Sequence, residues 1–394
     1  MSDPTTILLR NARLVLPQHT SEPASLLIQD GRIAKILPAA HAPRDTQTVI
    51  DLSGQTIFPG FIDVHIHGAV GVDTMQATAA DLERVSQFLA TQGVTGWLPT
   101  LVPAPSRDYA SAIAQISIAA ESNRGARILG VHYEGPFVNS AQCGALRTQF
   151  FRNFSGPADL DDLPAVASSP AKHLITLAPE VAGGIALVAE LRRRGWIVSV
   201  GHTRASFALL EEARAAGAHH LTHFMNAMAP LHHRAPGPVA WGLLRDDVTC
   251  DLIADGVHLD PEILVLLLKM KGAERLTLIS DAIAAAGSGD GSYQIWGETI
   301  SVKEGRTSNA RGAIAGSVIS LLDAVKLMLS LGATEVEVAK MAAANPARLL
   351  GLDHDCGSIE EGKRADLVAL DHSGKVSLTM VAGQRVFDAT TTDY

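Results

Sequence analysis

The middle of this chain contains eight short apolar segments, and helical patterns lie between several of them. The candidate strands are Phe61–Ile66, Val94–Leu98, Ile128–Tyr133, Leu174–Ala178, Trp196–Gly201, His219–Thr222, Val248–Ala254 and Leu276–Ser280. The helical patterns Ala80–Gln92 and Glu211–Ala216 both end next to a glycine, as helices commonly do. Eight strands joined by crossovers predict an α/β fold, a (β/α)8 barrel of the TIM type, with a doubly wound sheet as the alternative.

Both ends of the chain carry alternating apolar segments that are typical of strands. The N-terminal segments are Ile7–Arg10, Arg13–Leu16, Ser25–Ile28 and Arg32–Ile36, and the C-terminal ones are Ala365–Leu370, Val376–Met380 and Gln384–Phe387. Each end alone is small for an independent core. We therefore expect one small β-sandwich domain formed by residues 1–56 and 356–394, and a barrel formed by residues 57–355.

Charge and apolar patterning exclude several classes of protein. The net charge of −9 argues against a broad surface for nucleic acid or anionic membranes. The densest apolar stretch, Ile263–Leu268, is too short to span a bilayer, and Met1–Arg10 lacks the pattern of a signal peptide. The three cysteines match no zinc or disulfide spacing. We expect a cytoplasmic protein with no nucleic-acid or membrane partner.

Polar residues with catalytic potential follow the predicted strands where each strand ends. They are His65 and His67 on the first strand, Glu134 on the third, His202 on the fifth, His223 on the sixth, Asp255 and His258 on the seventh, and Asp281 on the eighth. In a (β/α)8 barrel these ends form one mouth, where active sites are built. The sequence therefore predicts one active site assembled from most of the strands.

The residue types at this mouth favour a metal-dependent hydrolase. His65 and His67 lie on the same face of a strand, because side chains alternate with a period of two. Two histidines and a carboxylate, such as His202, His223 and Glu134, form a three-ligand metal site that leaves one position open. Asp281 is the natural general base, since a carboxylate can take a proton from water and give it to a leaving amine.

Longer motifs carry a resemblance to the amidohydrolase superfamily and, within it, to the N-acetylglucosamine-6-phosphate deacetylase family. The resemblance covers nearly the whole chain. Its markers are Pro59 to Gly68, His132 to Phe137, Gly201 to Thr203, Thr222 to Met228, Ala254 to His258, Ser280 to Ala282, Ala315 to Ser317 and Gly357 to Leu367. The resemblance implies hydrolysis of the N-acetyl group of N-acetylglucosamine 6-phosphate, giving glucosamine 6-phosphate and acetate in amino-sugar catabolism.

The same resemblance implies a role for each site residue. Glu134, His202 and His223 would hold a divalent metal, zinc or iron, while His65 and His67 allow a second ion in each subunit. Asp281 would be the acid and base, and His258 would contact the acetyl carbonyl. The substrate-binding positions would be Ala145, Leu146, Asn226, Ala227, Arg234, Asp255, His258, Ile314, Ala315 and Gly316, with Arg234 reaching the neighbouring subunit of a homodimer.

Leu146 departs from the family pattern, which usually has a histidine there, so the epimer of the hexosamine stays open and N-acetylgalactosamine 6-phosphate is an alternative.

Cyclic-amide hydrolases of the same superfamily often use a carboxylated lysine after the fourth strand. Here that strand ends in Pro179-Glu180, which counts against them. A non-catalytic barrel scaffold is disfavoured because every ligand position and the base position are filled.

Overall fold

The computed structural model describes residues 6–38, 46, 48–122, 124–167 and 171–390. Within them the chain forms a nearly closed parallel barrel and a second sheet built from both ends of the chain. The predicted fold class is confirmed. The predicted division at residues 56 and 356 stays a prediction, and residues 1–5 and 391–394 at its two ends lie outside the described residues.

Eight parallel strands pair in chain order around the barrel. They are Phe61–Ile66, Val94–Leu101, Gly130–Glu134, Lys172–Leu177, Ile197–Val200, His220–Leu221, Thr249–Ile253 and Leu276–Ile279. Each predicted strand overlaps the observed one. No ladder joins the eighth strand to the first among the described residues. Instead, the backbone N–H of Asp281 donates to the carbonyl of His65 at 2.9 Å, which closes the barrel at its mouth.

The helices lie outside the barrel, and the first of them also contacts the sheet of the small domain. They are Ala79–Thr91, Ser106–Ala119, Gly184–Arg193, Phe207–Ala215, Gly237–Leu244, Pro261–Lys271, Leu321–Ser330, Glu335–Ala339 and Asn345–Leu349, with a π-helical turn at Lys340–Ala344. The first begins at Thr78, whose hydroxyl accepts from the backbone of Asp81 while the Asp81 carboxylate accepts from the backbone of Thr78. No described helix is long and apolar enough to cross a membrane.

The crossover between the third and fourth strands differs from the others. Its described residues contain only short 3₁₀ turns, at Ser140–Gln142, Thr148–Phe150 and Pro157–Leu160. This loop therefore lies over the barrel mouth instead of packing as a helix, and it brings Ala145 and Leu146 to the mouth.

The small domain contains eight strands in one hydrogen-bonded sheet. They are Thr6–Leu14, Ala24–Gln29, Arg32–Pro38, Thr48–Asp51, Thr56–Pro59, Leu367–Leu370, Val376–Val381 and Gln384–Asp388. The prediction of two strands at Ile7–Arg10 and Arg13–Leu16 is wrong, since they form one strand. That strand bulges around Asn11, which has a φ of 65°, and then pairs with a different neighbour. Side chains from both parts share one hydrophobic cluster.

An inserted sheet follows the eighth barrel strand and was not predicted. Its three antiparallel strands are Gly291–Ile295, Glu298–Lys303 and Arg306–Ser308. Ile295, Trp296 and Ile300 of this insert pack in one cluster with Leu146 and Ala315. The insert therefore forms one wall of the barrel mouth.

Replacement of Gly130 tests the start of the third barrel strand. A Cβ at Gly130 would lie 1.8 Å from the carbonyl oxygen of Lys172, and Gly130 has a φ of +153°. We expect Gly130→Ala to lower the free energy of unfolding by about 2–4 kcal/mol, because the third and fourth strands must separate to admit the methyl group. Denaturant unfolding followed by circular dichroism measures the change.

Gly156→Ala is the matched control. Gly156 has an extended φ of 170°, and nothing lies within 4 Å of a Cβ built there. We expect its unfolding free energy to match that of the parent protein. Equal stabilities of the two alanine variants would contradict the close approach of these strands.

Candidate active site

Three ligand atoms from three barrel strands meet at the mouth. His202 Nε2 lies 2.9 Å and His223 Nε2 lies 3.0 Å from Glu134 Oε1, and the two nitrogens are 3.1 Å apart. All three side chains are buried. Glu134 ends the third strand, while His202 and His223 follow the ends of the fifth and sixth strands. The predicted convergence at one mouth is present in the structure.

The hydrogen-bonding state of His202 indicates that a cation belongs between these atoms. His202 Nδ1 lies 2.7 Å from the carbonyl oxygen of Gln142, which can only accept a hydrogen bond. The proton of a neutral His202 is therefore on Nδ1, and Nε2 presents a lone pair to the carboxylate of Glu134. The lone pairs of His202 Nε2 and Glu134 Oε1 then repel each other unless a cation lies between them. Two imidazole nitrogens and one carboxylate oxygen suit zinc or iron.

A second group of ligands shares Glu134. His65 Nε2 and His67 Nε2 are 3.2 Å apart, and His67 Nε2 lies 3.4 Å from Glu134 Oε2. Asp281 Oδ1 lies 3.4 Å from His65 Nε2 and 3.2 Å from His67 Nε2. The ligand atoms of His65, His67 and Glu134 lie close enough together to hold an ion. The site therefore has two groups of residues that could each hold an ion, and both groups include Glu134.

Burial and neighbouring opposite charges shift the pKa values of this cluster in opposite directions. Burial disfavours charge on Glu134, but its close contacts with the surrounding imidazoles hold the pKa of Glu134 well below its usual range. Burial also opposes protonation of His67, yet the Asp281 and Glu134 carboxylates raise the pKa of His67 to about 10. Burial lowers the pKa of His65 well below its usual range. Glu134 is thus an anion that needs a positive partner.

Three of the predicted metal-binding and catalytic residues adopt left-handed backbone conformations. The φ angles are 48° for His202, 31° for His223 and 50° for Asp281. Such conformations cost about 1–3 kcal/mol each in residues other than glycine and cluster at functional sites. The loops after the fifth and sixth strands stabilise each other, since Thr203 N–H donates to the Ala227 carbonyl at 3.1 Å. The sharp turns aim the side chains inward over the barrel.

Glu180, at the end of the fourth strand, fastens the loop that carries His202. Its carboxylate accepts hydrogen bonds from Asn139 Nδ2 at 2.8 Å, Thr203 Oγ1 at 2.6 Å and the Arg204 backbone at 2.6 Å. It therefore links the loops after the third and fifth strands. In place of a ligand lysine, the fourth strand supplies a positioning residue.

His258 and Asp255 form a pair beside the cluster. Asp255 Oδ2 accepts from His258 Nδ1 at 2.7 Å, and Asp255 Oδ1 accepts from the backbone N–H groups of Val257 and His258, both at 2.8 Å. Burial favours the neutral acid, but the contacts with His258 hold the pKa of Asp255 below its usual range. The pair fixes the orientation of the His258 ring.

One cavity collects most of the predicted site residues. Those that line it are His67, Glu134, Ala145, Leu146, His202, His223, Asn226, Ala227, His258, Asp281, Ile314 and Gly316. Three predicted substrate-binding residues are not among its lining. Asp255 lies behind His258, Ala315 is fully buried beside the lining, and Arg234 is exposed with its Nη1 2.6 Å from His233 Nε2. His65 lies beneath the cavity, also fully buried.

Gly144, Ile253 and Trp296 also line the cavity and were not predicted. Trp296 had a signal in the sequence, because Ile295-Trp296-Gly297-Glu298 joins two alternating segments through a dipeptide ending in glycine. Glu180 had a weaker one, as a carboxylate at the end of a predicted barrel strand. Nothing in the sequence shows that Glu180 contacts the neighbouring loops.

Comparison with known proteins gives consistent matches. The amidohydrolase family model matches residues 56–386. The chain is 36% identical to the N-acetylgalactosamine-6-phosphate deacetylase of Escherichia coli O157:H7, over 96% of this chain and 99% of that protein. It is 32% identical to the N-acetylglucosamine-6-phosphate deacetylase of Bacillus subtilis, over 97% of each.

A solved structure of a deacetylase is also similar to this chain. A mutant N-acetyl-D-glucosamine-6-phosphate deacetylase of Mycobacterium smegmatis, in complex with N-acetyl-D-glucosamine-6-phosphate, superimposes with a TM-score of 0.89. The two are 31% identical, and the match covers 97% of this chain and 99% of that chain.

The ligand geometry predicts a ranking of the histidines for metal binding. His202→Ala removes one of three converging ligands, and we expect metal affinity to fall by more than about 100-fold, beyond the loss typical of an outer contact. The His65→Ala, His67→Ala double variant keeps Glu134, His202 and His223, so we expect it to retain one ion. Elemental analysis of the purified proteins measures metal per chain.

His219→Ala is the control for this ranking. His219 is exposed at the far end of the sixth strand, 3.4 Å from Asp247, and touches neither ligand group. We expect its metal content to equal that of the parent protein. A metal-free double variant, or full metal in His202→Ala, would overturn the ranking.

Proposed function

The chain belongs to the amidohydrolase family and is a hydrolytic deacetylase, and we propose that its substrate is N-acetylglucosamine 6-phosphate, cleaved to glucosamine 6-phosphate and acetate. The observation that carries the proposal is the meeting of two ligand groups and one carboxylate, Asp281, in a single cavity. A non-catalytic scaffold gives no reason for three buried polar residues to adopt strained left-handed backbone conformations at one point. The reaction requires a polarised amide, an attacking water and a proton for the amine.

We assign Glu134, His202 and His223 to a principal metal site, and His65 and His67 with Glu134 to a second. Zinc and iron both suit these donors. A bound divalent cation supplies Lewis acidity toward water and the amide carbonyl. The fixed tautomer of His202, set by the Gln142 carbonyl, keeps its Nε2 lone pair available for that ion.

Asp281 is the proton carrier in this proposal. Its carboxylate lines the cavity, is nearly buried and lies against the imidazoles of His65 and His67. It takes a proton from the attacking water as the water oxygen bonds to the carbonyl carbon. It then gives that proton to the nitrogen as the carbon–nitrogen bond breaks, which releases a neutral amine and acetic acid, and the acid then ionises to acetate.

His258 faces the cavity with its second nitrogen, because Asp255 holds the first. We assign it to the acetyl carbonyl oxygen. The Asp255 carboxylate accepts from Nδ1 and so fixes the ring with Nε2 directed at the cavity. Asp255 thus acts through His258 and binds substrate only indirectly.

We place the sugar phosphate against the loop after the sixth strand. Asn226 and Ala227 line the cavity there, and Ala145, Leu146, Ile314 and Gly316 line it on other sides, with Ala315 behind. No lysine or arginine lines the cavity among the described residues. Exposed Arg234, in the same loop, is suited to reach the partner's cavity in a homodimer, where its guanidinium matches phosphate.

Two substrates compete for this site. Relatives named for the galactosamine and the glucosamine epimer match this chain comparably. Leu146 is buried and apolar at the cavity wall, so it offers no hydrogen bond to distinguish them. We favour the glucosamine epimer, with a cytoplasmic location. Acetate release from both N-acetylhexosamines, each with and without 6-phosphate, tests the proposal, and no release from any of the four would refute it.

Asp281→Asn should separate proton transfer from metal binding. Asparagine neither takes nor gives a proton, so we expect kcat to fall by about 10²–10⁴. Asp281 is not among the two ligand groups, so metal content should persist. Steady-state kinetics with parallel elemental analysis measures both. Near-normal turnover would place the base elsewhere.

Arg234→Ala should impair the phosphorylated substrate selectively. Loss of one charged hydrogen-bonding contact costs about 1.5–3 kcal/mol, or roughly 10–150-fold in kcat/KM. The loss should appear in KM, because the phosphate is remote from the amide. An unphosphorylated substrate should be barely affected. Arg204→Ala, an exposed arginine in the loop after the fifth strand, is the control and should have no selective effect.

Mixed dimers test whether Arg234 acts on the partner. A dimer of one Arg234→Ala subunit and one Asp281→Asn subunit contains one site with both Asp281 and the partner's arginine. After subunit exchange of equal amounts, we expect about a quarter of the parent activity to return, since half the dimers are mixed and each has one working site. No recovery would show that Arg234 acts within its own subunit.

A further inference from the structure

The inserted sheet carries a tryptophan in a conformation that few tryptophans adopt. Trp296 and Gly297 form the two-residue turn between Gly291–Ile295 and Glu298–Lys303, with φ angles of 54° and 77°. Two-residue turns with both central φ angles positive favour Asn-Gly or Asp-Gly, because a bulky side chain crowds the backbone there. This turn is therefore strained at Trp296.

Trp296 also leaves a buried polar group unsatisfied. The residue is only 8% exposed, and its indole Nε1 has no hydrogen-bond partner among the described residues. A buried N–H without an acceptor is unfavourable. Phenylalanine or leucine would fill the same core without that defect, and Ile295 and Ile300 of the insert already do so. Folding alone does not account for a tryptophan here.

The position of the indole relative to the ligand cluster suggests what it does. Its ring meets the ring of His67 edge to face, with centroids 5.0 Å apart at 79°. It lines the cavity and shares a hydrophobic cluster with Leu146, which lines it too. Trp296 is thus an apolar wall of the cavity beside His67, which the proposed function assigns to the second metal site.

We propose that Trp296 is a specificity-determining residue that limits the size of the acyl group, an inference that rests on the proposed deacetylation. Of the groups attached to the reacting carbonyl carbon, the acetyl methyl alone has no polar atom. The rest of the substrate carries hydroxyls and a phosphate, which suit a polar lining residue such as Asn226. The indole closes the space beyond the methyl group, so longer acyl chains collide with it.

Competition between acyl groups tests this role. We compare kcat/KM for N-acetyl, N-propionyl and N-butyryl forms of the same hexosamine phosphate. The parent protein should prefer acetyl to propionyl by at least about 10-fold, within the usual range for one methylene. Trp296→Ala should reduce that preference at least about 5-fold, because it opens the wall. Trp296→Phe, which keeps an aromatic ring, should retain most of it.

Ile300→Ala separates acyl selection from support of the insert. Ile300 lies in the same hydrophobic cluster and is also buried, but it does not line the cavity. We expect a lower thermal midpoint with an unchanged ratio of acetyl to propionyl hydrolysis. If Trp296→Ala behaves in the same way, its role is structural and the inference is wrong.

If the Trp296→Ala variant fails to fold, the acyl preference of the parent protein alone still tests the inference. Equal hydrolysis of acetyl and butyryl substrates by the parent protein would overturn the inference while leaving the deacetylase function intact. Absence of hydrolysis of every acyl form would instead refute the proposed function, and the inference would fall with it.

Discussion

The convergence of Glu134, His202 and His223 on one point is the constraint on which the rest of the site depends. Glu134 Oε1 and the Nε2 atoms of His202 and His223 lie within 3.1 Å of one another, and the lone pairs of Glu134 and a neutral His202 repel unless a cation lies between them. The barrel provides the rigid frame that holds them there. Left-handed turns at His202 and His223 aim the side chains, and Glu180 and the Thr203–Ala227 hydrogen bond fix those turns.

The fold and the convergence of the candidate ligands could be predicted from the sequence because both depend on local patterns. All eight barrel strands overlap their predictions, since each is a short apolar run that the barrel buries. The polar residues that follow them meet at one mouth because all strands are parallel. Glu134 and His223 were identified in this way, from position along the chain and not from knowledge of contacts.

Other features depend on contacts between distant segments and could not be predicted. The bulge at Asn11 makes one strand where alternation favoured two, because a single residue with positive φ lets the strand change its partner. The position of Asp255 behind His258 is set by side-chain hydrogen bonds within one loop. Trp296 reaches His67 only because an unpredicted insert folds over the mouth.

The seam between the first and eighth strands couples chemistry to architecture. It is held at the mouth by the Asp281–His65 backbone hydrogen bond, and below it the buried Asp63 carboxylate accepts from the backbone of both His65 and Ser280. The residue proposed to move protons and a ligand of the second ion therefore also fasten the barrel shut. The closing hydrogen bond joins backbone atoms, so a change of side chain at either position can alter the chemistry and leave the joint of the cylinder in place. The inserted sheet and the long third crossover border the cavity without taking part in that joint, so they are further places where specificity can change.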